Sequence, residues 1–112
     1  MDWKIPDGID VQCVALCKAL NLLPGIETFE SCCGHGKDRY AIWFTCKRLR
    51  DLPALLYWFD GCHSGFYSWR VVARTDCAMK PVHFMIEGPV GAYKESEHIA
   101  ALITEFVTTG EM

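Results

Sequence analysis

Five residues, Gly34-His35-Gly36-Lys37-Asp38, separate two segments that both read as β-strands, and this short connection constrains the fold more than any other feature. Ile26 to Cys32 forms the first strand, and Tyr40 to Cys46, aromatic and β-branched, forms the second. Parallel neighbours need a crossover of roughly a dozen residues or more, so these two strands must pair as an antiparallel hairpin with a glycine-rich tip.

The rest of the chain falls into place around that hairpin. Before it, Ile9, Cys13, Leu16, Leu20 and Leu23 recur at three- and four-residue steps. That spacing is one apolar face of a helix over about 8–22; Asp7-Gly8 precedes it and Pro24-Gly25 stops it. After it, Asp51 is placed to cap a second helix that carries Leu52, Leu55, Leu56 and Phe59 inward and ends at Gly61. Phe66 to Thr75 and Val82 to Glu87 read as a second pair of strands joined by a turn at Asp76 to Pro81. Ile99, Leu102, Ile103 and Phe106 mark a last helix over about 94–109, closed by Gly110. The order α-β-β-α-β-β-α predicts an α+β two-layer sandwich, a four-stranded, mostly antiparallel sheet with helices on one face. Ser31-Cys32 and Asp76-Cys77 occupy comparable hairpin positions and hint at a repeated unit.

Length and composition agree with one domain over 1–112. With 51% hydrophobic and 22% charged residues the chain can build a core. The formal charge of −3 argues against a nucleic-acid binder that works by bulk charge. The best apolar run, Leu52 to Phe59, is far short of the roughly 20 residues of a membrane-spanning helix. The first residues do not read as a secretory signal, and a cytoplasmic location is the expectation. Seven cysteines, an odd number, in a chain able to form a core point to reduced thiols rather than a disulfide scaffold. Cys13 belongs to the first helix's apolar stripe and reads as core.

Period-two alternation assigns the strand faces. Phe29 and Ser31 fall opposite Thr28 and Glu30, and the face away from the helices collects Glu30, Arg70, Arg74, His83 and Glu87, with Trp43. Such a face is ordinarily solvated, and it is also where a homodimer or a protein or small-molecule partner would dock. Lys47, Arg48 and Arg50, with Arg39 nearby, form a basic run that suits a solvated face or a phosphate backbone. Trp43, Trp58 and Trp69 read as core.

The chemistry concentrates in Ser31-Cys32-Cys33-Gly34-His35-Gly36-Lys37. Three uses fit. Ser31, Gly34, Gly36 and Lys37 can cradle a ligand, the amides forming an anion nest beside the lysine charge. Cys32 or Cys33 can act as a nucleophile with His35 as its base. Cys32, Cys33 and His35 can ligate a metal, zinc being the natural ion for such donors, and the second glycine-bounded pair Cys62-His63 can complete the set. No Cys-x-x-Cys is present, and adjacent Cys32 and Cys33 point to opposite sides in an extended chain, whereas Cys33 and His35 share a side. A P-loop is excluded: Ser31 stands where its first glycine belongs, Asp38 follows the lysine, and a strand rather than a helix comes next.

The stretch Leu23 to Gly36, with Tyr40-Ala41-Ile42-Trp43-Phe44 after it, resembles a family of small uncharacterised proteins of bacteria and their phages. These carry a Gly-Ile…Ser-Cys-x-Gly-His signature, and the resemblance brings no activity with it. Ser31, Cys32 and Gly34 also echo the Ser-Cys-Ser-Gly motif of the tRNA wybutosine-synthesising methyltransferases, with Cys33 in place of the second serine and His35 in place of their basic residue. That echo implies S-adenosylmethionine as a cofactor. Three classes of function follow: a binding or accessory module presenting the 31–37 loop, an enzyme using that loop for thiol or S-adenosylmethionine chemistry, and a zinc-stabilised small domain.

Overall fold

A computed structural model describes residues 4, 5, 7–48, 50, 52, 53, 59, 69–75 and 82–110. Its elements are α1 (Val11–Leu20), β1 (Ile26–Cys32), one 3-10 turn (Gly34–Gly36), β2 (Tyr40–Cys46), β3 (Arg70–Arg74), β4 (His83–Gly88) and α2 (Tyr93–Thr109). The four strands form one sheet in the order β1-β2-β4-β3, every neighbour antiparallel. The α+β architecture and both hairpins stand as the sequence suggests. The helix expected over 51–61 falls for the most part outside the described residues, as do Trp58, residues 66–68 of the third strand, the turn at 76–81, and the Asp76-Cys77 half of the suggested repeat. Among the described residues no helix is long and apolar enough to cross a membrane.

The core lies between the sheet and the two helices. Leu16 and Leu20 of α1, Ile42 and Phe44 of β2, Ile86 of β4 and Ile99 and Ile103 of α2 are fully buried in one cluster. Burying each of these side chains contributes about 1.5–3 kcal/mol. The ends of α1 are fixed by particular groups. Gly8, at φ 80, turns the chain ahead of the extended Asp10, so the helix begins later than its apolar spacing suggests. At the other end, Asn21 donates to the Cys17 carbonyl and to Thr28 Oγ1, both at 2.7 Å, and its Oδ1 accepts from the Thr28 amide at 3.2 Å. One side chain thus caps the helix and fastens it to β1. Gly110, in the left-handed region at φ 76, ends α2 with its amide donating to the Phe106 carbonyl at 2.7 Å.

At the far edge, Trp69 is buried against Tyr40 and Phe59, with ring centroids 5.3 and 5.8 Å away. Gly88 faces this indole so closely that a Cβ there would lie 2.7 Å from ring atoms. Trp43, by contrast, is only half-buried on the other side of the sheet.

Two expectations about the strand faces need correction. The β1–β2 register shifts between Thr28 and Glu30, a β-bulge with Phe29 as the extra residue. Thr28, opposite Phe44, and Ser31, opposite Ile42, therefore share the helix side, and Phe29 is not on it with Ser31: its ring meets His83 edge-on at 5.5 Å. His83 itself, expected on an exposed face, is only 2% exposed. Its neighbours on that face are buried too, Met85 and Ala41 at 5% and 6%, so the face is not uniformly solvated.

Candidate functional site

The hairpin tip is built from an uncommon backbone. β1 ends at Cys32, Cys33 takes a right-handed conformation (φ −74, ψ −8), and then Gly34, His35 and Gly36 all have positive φ, at 81, 53 and 76. Histidine carries a steric cost of roughly 1–2 kcal/mol in that region. The turn is held because the amides of Lys37 and Asp38 both donate to the Gly34 carbonyl at 2.9 Å. Gly34 has a second reason to lack a side chain: a Cβ there would sit 3.0 Å from the Arg39 carbonyl oxygen.

The amides inside this turn serve its own sulfurs and one acid. Gly34 N donates to Cys32 Sγ at 3.4 Å, and His35 N donates to Cys33 Sγ at 3.3 Å. Cys33 N donates to Asp10 Oδ2 at 2.9 Å. Asp10 stands at the N-cap of α1 but makes no side-chain capping bond; its carboxylate reaches across to the hairpin instead. The Cys33 amide is the main cause holding the Asp10 carboxyl below its ordinary value, partly opposed by burial and helped by the Cys33 thiol and His35.

These contacts bring three ligand types together. Oxygen of Asp10, sulfur of Cys32 and nitrogen of His35 all lie within 4.8 Å of one another. His35 Nε2 is 3.9 Å from Asp10 Oδ2, and Nδ1 of the same ring is 3.6 Å from Cys33 Sγ. A tetrahedral ion with bonds of about 2.0–2.3 Å holds its ligand atoms about 3.3–3.8 Å apart, so closing on such an ion needs movements of about 1 Å or less. The imidazole is at the surface, its side chain 68% exposed, whereas Cys33 is buried to 2% in the core cluster and Cys32 is half-buried.

The other residues singled out from sequence divide clearly. The Ser31 hydroxyl turns inward to the thiols of Cys13 and Cys17, whose values burial pushes up to about 11 and about 12. Gly34 and Gly36 supply conformation, and Lys37 lies exposed on the turn. Cys62 and His63 lie outside the described residues. The five described cysteines are all free thiols. Arg39 does not join Arg48 and Arg50. Its Nε pairs with Glu87 Oε1 at 2.9 Å, where Arg70 Nη2 also binds at 2.8 Å.

Two members of the neighbourhood escaped the sequence reading. Asp10 falls inside the span that reads as the first helix, and nothing in the local pattern signals its reach to the hairpin. Tyr93, the first residue of α2, places its hydroxyl beside the Cys33 thiol and the Gly36 amide; burial first, then the Cys33 contact, raises its phenol above the ordinary value. The spacing Cys32-x-x-His35 lies within the two-to-four-residue range of metal ligands and is a signal that the pairing of Cys33 with His35 by alternation passes over. No family model, curated protein or solved structure matches this chain.

Proposed function

We propose that the protein is a binding module for a zinc-class transition-metal ion, ligated by an Asp10 carboxylate oxygen, the Cys32 thiolate and the His35 imidazole. The observation that carries this reading is the convergence of the three donor atoms within 4.8 Å from two separate segments, the start of α1 and the tip of the β1–β2 hairpin. One thiolate, one imidazole and one carboxylate form a donor set suited to zinc and its neighbours rather than to calcium or magnesium, which take oxygen. Zinc binds ligands in their deprotonated forms, and Asp10 already favours its anion.

The rival use of the tip, Cys33 as a nucleophile with His35 as base and Asp10 behind it, has suitable distances but little access. A sulfur 2% exposed within the core meets no substrate without the turn opening. Metal content measured by mass spectrometry on untagged protein, with calorimetric zinc titration, tests the proposal. The expected result is one zinc per chain, lost in both Cys32→Ser and His35→Ala. Zinc uptake that is absent, or that survives both substitutions, sinks it.

A further inference from the structure

We propose that Cys33 is the positioning residue for His35, so that among the described residues the ion has three ligands and its fourth position takes a small exogenous ligand such as water or a monodentate anion. This rests on the metal reading above and assigns different roles to two adjacent cysteines. Cys32 lies opposite Ala41 in the β1–β2 register, on the sheet face away from the helices, while the next residue, Cys33, is in the helix-side core. The two sulfurs leave the backbone on opposite sides. The donor atoms that converge are those of Asp10, Cys32 and His35, without Cys33.

The imidazole explains what Cys33 does instead. The two ring nitrogens direct their bonds apart. Nε2 faces Asp10 Oδ2 at 3.9 Å, on the ligand side, and Nδ1 faces Cys33 Sγ at 3.6 Å. A metal-ligating histidine characteristically donates its other N–H to an acceptor that fixes both tautomer and ring orientation. Here that acceptor is sulfur, itself fixed by the His35 amide at 3.3 Å and neighboured by the Tyr93 hydroxyl. With the Cys33 sulfur engaged at Nδ1, three described side chains remain for the ion. Three protein ligands with a fourth position open is the arrangement of zinc sites that act on bound water or anions, whereas structural sites close with four.

Cobalt-substituted protein distinguishes the possibilities. The unmodified chain should show a thiolate-to-cobalt charge-transfer band of one-sulfur intensity. Cys33→Ala should keep that intensity while metal affinity falls roughly 10- to 100-fold, and Cys33→Ser, which retains an acceptor, should recover most of the affinity. Titrating sodium azide into the unmodified cobalt protein should shift the visible ligand-field bands. Nitrogen NMR of the metal-free protein should find the His35 proton on Nδ1. A halved charge-transfer band in Cys33→Ala, ligand-field bands that ignore saturating azide, or a proton on Nε2 each overturns the proposal. The azide and NMR measurements use the unmodified chain and hold even if the variants fold poorly. A missing charge-transfer band in the unmodified protein is a separate outcome and removes the metal reading together with this one.

Discussion

Two pairs of cysteines sit in this small domain, and their surroundings give them opposite characters. Cys13 and Cys17 lie one helical turn apart in α1, fully buried, and lack of water raises both thiols to about 11 and about 12. They behave as small apolar groups at any ordinary pH. Cys32 and Cys33 sit where a strand becomes a turn. Each sulfur accepts a backbone amide, with a carboxylate and an imidazole close by. The contrast teaches that cysteine count carries little information here, whereas the polar groups around each sulfur carry much.

The comparison can be broken at either end. Leu16→Ala, beside the α1 pair, should cost about 2–5 kcal/mol in chemical denaturation, yet below its melting transition the variant should bind zinc as the parent does. Altered zinc affinity in the folded variant would mean the core and the tip are not separable. Next in size is zinc's own contribution. At a hundredfold excess over Kd, zinc should stabilise the parent by about 2.7 kcal/mol. Thermal melts should show this gain abolished in Cys32→Ser and unchanged in Cys17→Ala; equal losses in both would erase the distinction between the pairs.

Smaller effects sharpen the picture of the tip. Gly34→Ala forces a side chain into positive φ and against the Arg39 carbonyl, at a cost of about 1–2 kcal/mol in urea unfolding. A neutral result would show that the turn readily adopts another shape. The least effect concerns pH. Because the folded state lowers the Asp10 carboxyl, its contribution is complete above the ordinary value of 3.8 and disappears as pH falls through the depressed folded value. Asp10→Asn should therefore reduce the loss of stability on acidification below 3.8, and an unchanged acid limb would count against the Asp10–Cys33 bond.

How much of this was legible in the sequence depended on which kind of information each residue carries. Strands 26–32 and 40–46 are read directly, because a β-rich segment, a glycine-rich tip and a second β-rich segment permit one pairing. The site was legible as a place but not as a constellation. Extended-chain alternation puts Cys33 and His35 on one side, and their Sγ and Nδ1 are 3.6 Å apart; what alternation does not give is that Cys32 also converges on His35, across a turn with three positive-φ residues. Asp10 joins them from 22 residues earlier than Cys32 through a contact that local pattern cannot encode. The burial of His83 was hidden for a related reason: alternation says which way a side chain points, not what lies over it.

The bulge at Phe29 has a consequence reaching past its own strand. Ahead of it, even-numbered Ile26 and Thr28 face the helices; beyond it, odd-numbered Ser31 does, and Cys33 follows. A single supernumerary residue moves the helix-facing positions from even to odd numbers, and the bulge absorbs it so that pairing with β2 resumes at Glu30. Deleting Phe29 would leave Glu30 to Cys32 opposite Trp43 to Ala41 as they are now, so the bulge insulates the tip from an added residue and both cysteines keep their sides.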